Sequence, residues 1–295
     1  MLKRWRLAVI FFCAFFINSP AVCATACYLG PVGTYTEEAA SQYFGNREKL
    51  EAVDSVEKAL SAVEAGQCTY AVIPQENTIG GPVYPYVDAL LEHRSLSVLG
   101  AIDLPIRQAL LVYPGTKLSD IRAVLSHPQG LIQSRSWRQR YLPDAKPVEV
   151  SSTAEGARQV AAGQKPSVAA IGPEGAGRYY HLAVLAKDIQ ENSKNVTRFY
   201  VLGRSQAYPS REGHVIVVAR GKANDLPALL NGLVAMGGRV CSLHDRPLGS
   251  SLGEYQYILE VSQCNPVVLQ QEKKTIAGRM ELEIRGFFQE RVESL

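Results

Sequence analysis

The sequence predicts an α/β fold in two parts: an N-terminal α/β region and a C-terminal ferredoxin-like βαββαβ domain. From Ala26 to about Gly203, short apolar runs alternate with stretches of helical periodicity, which is typical of a sheet with crossover helices. Beyond a polar linker at 205–213, the order of elements changes to βαββαβ. The length agrees with two domains, because 295 residues exceed one ordinary hydrophobic core.

Eight apolar runs predict strands in the first region. They are 27–29, 70–73, 96–102, 110–112, 123–125, 148–150, 168–171 and 200–203. Residues 55–65 and 87–93 instead have the apolar spacing of helices. Polar segments follow several of these strands, and ligands in α/β sheets bind beyond the carboxyl ends of strands. The sequence therefore predicts a ligand site at that edge.

The second region contains four predicted strands and two predicted helices. The strands are 214–219, 239–244, 254–261 and 281–288, and the helices are 226–236 and 267–280. Their order along the chain is the ferredoxin-like one.

The first 24 residues have the plan of a secretory signal peptide. Three basic residues precede an uninterrupted apolar run from Leu7 to Ile17, and small residues follow around Ala24. The run is shorter than the roughly 20 apolar residues of a membrane-spanning helix. We expect cleavage after Ala24, with Ala26 as the alternative, and a periplasmic or secreted protein. The residues before Cys27 argue against a lipoprotein signal.

Charge excludes two classes of partner. The chain carries 31 basic and 28 acidic side chains. Three of the basic ones lie in the first 24 residues, which carry no acidic residue, so the remainder is balanced. Neither a nucleic-acid footprint nor a membrane-binding surface is visible, and the expected partner is a small molecule.

Five motifs contain the polar residues of the predicted ligand site. They are Gly30-Pro31-Val32-Gly33-Thr34-Tyr35-Thr36, Pro74-Gln75-Glu76-Asn77-Thr78-Ile79-Gly80-Gly81, Ser126-His127-Pro128-Gln129, Ser151-Ser152-Thr153 and Asn195-Val196-Thr197-Arg198-Phe199. Serine and threonine before helices are often N-caps alone, but several helix starts converging on one cleft form an anion-binding surface. Four of these motifs, all except the one at 151–153, resemble in this order those of prephenate dehydratase, and the resemblance covers nearly the whole chain after residue 24.

The resemblance implies two periplasmic-binding-protein-like α/β lobes, joined by two crossings, with the site between them. It implies conversion of prephenate to phenylpyruvate with loss of carbon dioxide and the ring hydroxyl, without metal or organic cofactor. Thr197 would donate to the leaving hydroxyl, and Arg198 would clamp a carboxylate with its planar fork.

Further residues are expected to contact the substrate, namely Thr34, Thr36, Asn77, Thr78, Gly81, Ser152 and Thr153. For Glu76 and His127 a structural hydrogen bond is favoured over acid catalysis. One departure from the family is Gln108, which stands where relatives usually carry histidine.

Residues 214–295, which follow the dehydratase domain at 25–204 and the linker, resemble an ACT regulatory domain. That resemblance implies a homodimer or larger assembly, with a phenylalanine effector near Ala228, Leu229, Arg246 and Pro247. His244-Asp245 replaces the family's Glu-Ser, and Pro227 replaces a glycine. We therefore expect weak feedback inhibition or none.

Four cysteines remain beyond the predicted leader. An even count in an exported chain favours disulfides over a metal site. The predicted strand positions suggest two bridges, Cys27 with Cys68 and Cys241 with Cys264. Four buried free thiols are the alternative.

Two other functions stay open. An arogenate dehydratase would use the same residues on a substrate with an ammonium in place of the keto group. A non-catalytic exported solute-binding protein would have the same lobes but no turnover.

Overall fold

A computed structural model describes residues 25–290. The predicted signal peptide lies outside the described residues, as do the last five. The described chain has two lobes and a C-terminal domain, with the first lobe and the domain sharing one ten-stranded sheet.

Lobe 1 is built around a sheet that contains both parallel and antiparallel strands. Its elements are β1 (Thr25–Leu29), α1 (Tyr35–Phe44), β2 (Lys49–Val53), α2 (Val56–Glu64), β3 (Tyr70–Asn77), β4 (Gly81–Pro82), α3 (Tyr84–Glu92), β5 (Leu96–Pro105) and, much later in the chain, β11 (Val196–Arg204). Helix α2 forms as its spacing predicts, with Ser55 capping its first turn and the apolar residues at i, i+3, i+4 and i+7 buried. Strand β11 lies between β3 and β5, antiparallel to both.

Lobe 2 is inserted between β5 and β11, so two crossings connect the lobes. Its elements are β6 (Ala109–Val112), a 3-10 turn (Leu118–Asp120), β7 (Ala123–Ser126), α4 (Pro128–Gln133), α5 (Arg135–Tyr141), β8 (Lys146–Glu149), α6 (Thr153–Gly163), β9 (Val168–Gly172), α7 (Glu174–Tyr179) and β10 (Ala183–Ala186). The strands form a separate sheet in the order β10-β6-β9-β7-β8.

The C-terminal domain has the predicted βαββαβ order. It comprises β12 (Gly213–Lys222), a 3-10 turn (Ala223–Asp225), α8 (Leu226–Ala235), β13 (Arg239–Pro247), β14 (Glu254–Cys264), α9 (Pro266–Ala277) and β15 (Glu281–Phe288). The strand order β13-β14-β12-β15 places the first and third strands side by side at the centre, as in ferredoxin-like folds.

A seam joins this domain to lobe 1. Strand β15 runs parallel to β5, with Gly286 opposite Val98. A Cβ at Gly286 would lie 2.5 Å from the Val98 carbonyl oxygen, so only glycine permits this approach. Beside it, Arg285 is buried and its Nη2 donates to the carbonyls of Leu90, His93 and Leu96 at 2.8–3.2 Å. The guanidinium thus satisfies carbonyls at and beyond the C-terminal end of α3.

None of the helices among residues 25–290 has both the length and the hydrophobicity of a membrane-spanning segment.

One predicted disulfide is present and the other prediction is wrong. Cys27 is bridged to Cys68, with their Cα atoms 6.1 Å apart, because β1 and β3 are parallel neighbours. Cys241 and Cys264 are free thiols, although β13 and β14 do form the expected antiparallel pair. A register shift leaves Cys241 between paired residues on the exposed side, whereas Cys264 is buried opposite Gly213 of β12.

Removing the observed bridge should destabilise the protein. We expect Cys68→Ser to lower the free energy of unfolding by about 2–4 kcal/mol, because the bridge restricts the unfolded chain. Urea unfolding measures the loss. Cys241→Ser, which changes an exposed free thiol, is the control and should leave the midpoint near that of the wild type. Equal midpoints for Cys68→Ser and the wild type would contradict a stabilising bridge.

A buried histidine makes stability depend on pH. His93 Nδ1 lies 2.9 Å from Glu64 and Nε2 lies 3.1 Å from Glu57. Burial alone lowers its pKa, but the hydrogen bonds and charges of the two glutamates outweigh burial and raise the pKa above 6.5. The stabilisation is therefore complete below the unfolded pKa and is lost as pH rises through the higher folded pKa.

We therefore expect the difference in unfolding free energy between the wild type and His93→Gln to shrink as pH rises from about 5 to about 9. Urea unfolding at several pH values measures it. A difference that stays constant over this range would mean that the histidine does not gain a proton on folding.

Candidate active site

The end of β3 and the start of β11 bring Asn77 and Thr197 together. They are directly opposite each other in the ladder, and Asn77 Nδ2 donates to Thr197 Oγ1 at 2.9 Å. The orientation of the amide is fixed, because Asn77 Oδ1 accepts from the backbone N–H groups of Ile79 and Gly80 at 3.0 and 2.9 Å. Since the Thr197 oxygen accepts from Asn77, its hydroxyl hydrogen remains for another acceptor.

Thr78 fixes the segment that leads into β11. Its Oγ1 accepts from Val196 N at 3.0 Å and donates to Lys194 O at 3.2 Å. Gly81, three residues later, has a φ of +73°, which lets the loop return to pair with Asn77 in the short strand β4. The Asn-Thr-x-x-Gly spacing therefore builds a rigid loop beside Thr197.

Two buried amides beside this cluster were not predicted as site residues. Asn195 Oδ1 accepts from Asn77 Nδ2 at 2.7 Å, while Asn195 Nδ2 has no partner among residues 25–290. Gln75 is 1% exposed, and neither polar atom of its side chain has a partner in the same described range. Unpaired buried amides require a water or a ligand group. Both residues stand within motifs that the sequence analysis singled out, and this position was the signal that could have identified them.

The first loop brings the lobes into contact. Thr34 caps α1 by accepting from Glu37 N, and Thr36 is buried in the first turn. Gly33 packs on Ala176 of α7, where a Cβ would lie 2.9 Å from the Ala176 Cα. Tyr180 donates to the Val32 carbonyl at 3.2 Å. The loop after β1 therefore faces lobe 2.

Lobe 2 contributes helix starts. Ser152 caps α6 by accepting from Glu155 N at 3.0 Å, and Thr153 is the first residue of that helix. His127 caps α4 through Nδ1, and burial lowers its pKa, so it is suited to a neutral structural role. The Gln129 amide packs against Gly80 of lobe 1, where a Cβ would lie 2.5 Å from Nε2.

Among the described residues, the hydrogen bonds join Asn77, Thr78 and Thr197 into one group, which we call the Thr197 cluster. They do not link Ser152 or Thr153 to it. The proposed substrate contacts therefore fall into a lobe 1 group, which includes Thr197, and a lobe 2 group at the start of α6.

The predicted carboxylate clamp is corrected by the geometry of Arg198. Its guanidinium is bidentate to Asp103, at 2.7 and 2.8 Å, and Nη1 lies 2.6 Å from Glu260 of the C-terminal domain. Neighbouring residues on a strand point to opposite faces, so Arg198 points away from the face on which Thr197 meets Asn77. It binds carboxylates as expected, but they belong to the protein.

Glu260 is the centre of this second cluster. Its side chain is fully buried, and it is held by Arg198, by Tyr200 Oη at 2.8 Å and by His214 Nδ1 at 2.7 Å. Burial alone would raise its pKa, but the His214 hydrogen bond, the Arg198 charge and the Tyr200 hydrogen bond hold the pKa of Glu260 below its ordinary value. The cluster ties β14 to the strand that carries Thr197.

One side-chain contact and one ion pair cross the same boundary. Glu76 lies opposite Arg198 in the ladder and 3.4 Å from His244 Nε2. Arg246 is bidentate to Asp88 of α3, at 2.5 and 2.8 Å, and lies over the Tyr84 ring. Two residues at the altered effector motif therefore bind lobe 1.

Gln108 follows the first crossing. Its Nε2 donates to Gln133 Oε1 at 3.1 Å, and it is 2% exposed. This position therefore packs inside lobe 2.

Three potential metal ligands also meet in the described part of the chain. His214, Cys241 and Glu260 place one ligand atom each within 4.8 Å of one another. Both oxygens of Glu260 are already held by hydrogen bonds and the Arg198 charge, so we assign no metal to this group.

Sequence comparison identifies relatives over most of the chain. A family model described as prephenate dehydratase matches residues 26–207. The bifunctional chorismate mutase/prephenate dehydratase of Neisseria gonorrhoeae is 35% identical over 239 residues, which are 80% of this chain and 66% of the relative. The prephenate dehydratase of Corynebacterium glutamicum is 32% identical over 83% of this chain and 79% of its own. The chain thus spans slightly less than two thirds of the bifunctional relative.

A plant relative is named for a different substrate. Arogenate dehydratase 5, chloroplastic, of Arabidopsis thaliana is 36% identical over 182 residues, which cover 62% of this chain and 42% of the plant protein.

Two solved structures share the fold over nearly the whole chain. The prephenate dehydratase of Arthrobacter aurescens in complex with L-Phe has a TM-score of 0.80 and 29% identity, covering 90% of each chain. A quorum-quenching acylase, GqqA, has a TM-score of 0.80 at 22% identity, covering 91% of this chain and 98% of its own. The second similarity concerns the fold alone.

Proposed function

Because this chain belongs to the prephenate dehydratase family, we propose that it converts prephenate to phenylpyruvate in the cleft beside the Thr197 cluster. The observation that carries this is the Asn77 amide, which donates to Thr197 Oγ1 and is itself held by two backbone N–H groups. The threonine hydroxyl is thereby oriented to donate.

The reaction requires the protein to align the substrate and to supply one hydrogen-bond donor. The bond from the ring to its carboxylate breaks, its electrons enter the ring, and the ring C–O bond breaks, giving carbon dioxide and an aromatic ring. The departing oxygen takes up a proton to leave as water. A fixed Thr197 donor stabilises the negative charge that develops on that oxygen.

The substrate carboxylates need partners other than Arg198. Helix α1 begins in lobe 1 and helix α6 in lobe 2, and the first backbone N–H groups of a helix lack intrahelical partners. Such helix starts bind carboxylates without a positively charged side chain. Thr34, Thr36, Ser152 and Thr153 stand at these two starts.

Formation of phenylpyruvate from prephenate by the purified protein tests the proposal. Turnover that depends on Thr197 supports it. Binding of prephenate without product would instead favour a solute-binding protein.

The plant relative motivates a second substrate. Arogenate differs from prephenate by an ammonium in place of a keto group, and the Thr197 cluster contacts neither group in the proposed chemistry. Comparison of kcat/KM on both substrates decides between them, and we expect prephenate to be preferred because the longer matches to curated relatives carry that name.

We further propose that residues 214–295 act as an ACT domain and mediate dimerisation. The ferredoxin-like strand order supports the first point. Strand β13 is an edge of the ten-stranded sheet and exposes Val240 and Leu243, which favours a second copy pairing there. Effector binding at Ala228, Leu229, Arg246 and Pro247 is disfavoured, because Leu229 is buried and Arg246 is paired with Asp88.

Export remains our proposal for the cellular location. The Cys27–Cys68 bridge supports an oxidising compartment. Cleavage after Ala24 fits better than cleavage after Ala26, because Ala26 is buried and paired within β1. N-terminal sequencing of the protein recovered from outside the cytoplasm tests both points.

A further inference from the structure

An open cavity of about 640 Å³ lies at one end of the C-terminal sheet. It is bordered by the starts of β12 and β13, the end of β14 and the residues after β15. Its lining residues lie outside the Thr197 cluster. Four of them carry side chains that bind metal ions in proteins, namely Glu212, His214, Cys241 and Glu290. In the described lining Arg239 is the one lysine or arginine, so carboxylates outnumber fixed positive charges.

His214 is held in the way that metal-binding histidines usually are. Its Nδ1 lies 2.7 Å from Oε1 of Glu260, whose side chain is fully buried. Despite burial, the hydrogen bond from His214 and the charge of Arg198 keep the pKa of Glu260 low, so the carboxylate accepts and Nδ1 carries the hydrogen. The other ring nitrogen, Nε2, keeps its lone pair and makes no hydrogen bond within residues 25–290. A histidine that binds a metal usually donates its other ring N–H to a carboxylate in this manner.

Cys241 brings a sulfur atom to the same place. Its Sγ lies within 4.8 Å of a ring nitrogen of His214, and its side chain is exposed on the edge strand β13. Sulfur and nitrogen ligands of a tetrahedral zinc ion stand roughly 3.6 Å apart, given bond lengths of about 2.3 and 2.1 Å. The exposed thiol can reach this separation by a modest turn of its side chain. Ser262 Oγ, 3.2 Å from Sγ, can then donate to the thiolate.

Glu290 supplies an oxygen on the open side of the cavity. Its Oε1 lies 3.7 Å from His214 Nε2, close to the roughly 3.4 Å that separates nitrogen and oxygen ligands of one zinc ion. The Glu290 side chain is 75% exposed, so it can adjust around an ion. Glu260 is not one of the ligands, because both its oxygens are already occupied. Its contribution is to orient His214.

We propose that the cavity binds Zn²⁺ through His214 Nε2, Cys241 Sγ and the Glu290 carboxylate, with Glu212 or water as the fourth ligand. One nitrogen, one thiolate and one carboxylate suit zinc, whereas calcium and magnesium prefer oxygen ligands alone. The thiol releases its proton on binding. The ion joins the starts of β12 and β13 to the segment after β15, and its binding does not depend on the proposed catalytic activity.

Metal titration of the purified protein tests the ligand class. The protein is stripped with a chelator and kept free of reductant, and peptide mapping first verifies that Cys241 is reduced. We expect one Zn²⁺ per chain, and Co²⁺ in its place should give a thiolate-to-cobalt charge-transfer absorption. Burial raises the pKa of Cys264 to about 11, and Cys27 is bridged to Cys68, so within residues 25–290 Cys241 is the thiol that can supply this signal. Absence of zinc binding, or of this absorption, would overturn the proposal.

Three variants test the location. Cys241→Ser and Glu290→Gln should each weaken zinc affinity at least about tenfold, since even partners outside the coordination shell contribute that much. Glu272→Gln removes an exposed carboxylate of α9 that does not line the cavity, and should leave the affinity unchanged. Thermal unfolding without metal verifies that all three fold. Wild-type zinc affinity in Cys241→Ser or in Glu290→Gln would refute this set of ligands, as would a cobalt–thiolate absorption that persists in Cys241→Ser.

Discussion

Thr197→Ala should lower kcat for prephenate by about a hundred- to a thousand-fold, the usual cost of removing one preorganised donor to a developing oxyanion. KM should change little, because the hydroxyl contributes mainly when charge develops on the leaving oxygen. Steady-state kinetics of phenylpyruvate formation measures both constants.

The matched control is Thr197→Ser, which keeps the hydroxyl and removes only a methyl group. It should retain much more of kcat than the alanine variant, since Asn77 can still donate to the side-chain oxygen. Full turnover by Thr197→Ala at saturating prephenate would show that another group serves the leaving hydroxyl.

The second large effect concerns stability. Glu260→Gln should lower the free energy of unfolding by about 3–5 kcal/mol, because it leaves Arg198 without one buried counter-charge and weakens the hydrogen bond to His214. Urea unfolding measures this loss. Glu272→Gln, at an exposed position of α9, is the control and should stay within about 0.5 kcal/mol of the wild type.

The variant Arg198→Lys distinguishes between a structural role of Arg198 and a contact of Arg198 with the substrate. An ammonium cannot reproduce the bidentate bond to Asp103 while reaching Glu260, so stability should fall. KM for prephenate should remain near that of the wild type. A marked rise in KM with unchanged stability would restore the carboxylate role first assigned from the motif.

Much of the fold was predictable because its periodic segments are strong. The eight strand predictions of the first region each correspond to an observed strand, and the C-terminal pattern has the expected order. Strand β2 was not predicted because its five residues are mostly exposed and show little alternation between apolar and polar side chains. Strand β10 was not predicted either, because it is a short stretch on the edge of its sheet.

The errors arose where sequence does not specify which face or register a residue occupies. Thr197 and Arg198 are adjacent in the chain, yet the pleat of β11 sends them to different clusters. Likewise, the hairpin of β13 and β14 was predicted, but its register places Cys241 beside Val261 and Glu260, three to four residues along β14 from Cys264. The seam at Gly286 depends on a contact between two residues nearly 190 positions apart in the sequence. No local sequence pattern predicts such a contact.

The central position of β11 has a consequence for the order in which the molecule is made. The strand that carries Thr197 fills the gap between β3 and β5, yet it is synthesised only after all of lobe 2. Until then the first lobe lacks a middle strand, and such long-range closure is slow. β15 completes the shared sheet later still. The nascent N-terminal half therefore stays incompletely folded until β11 has been made.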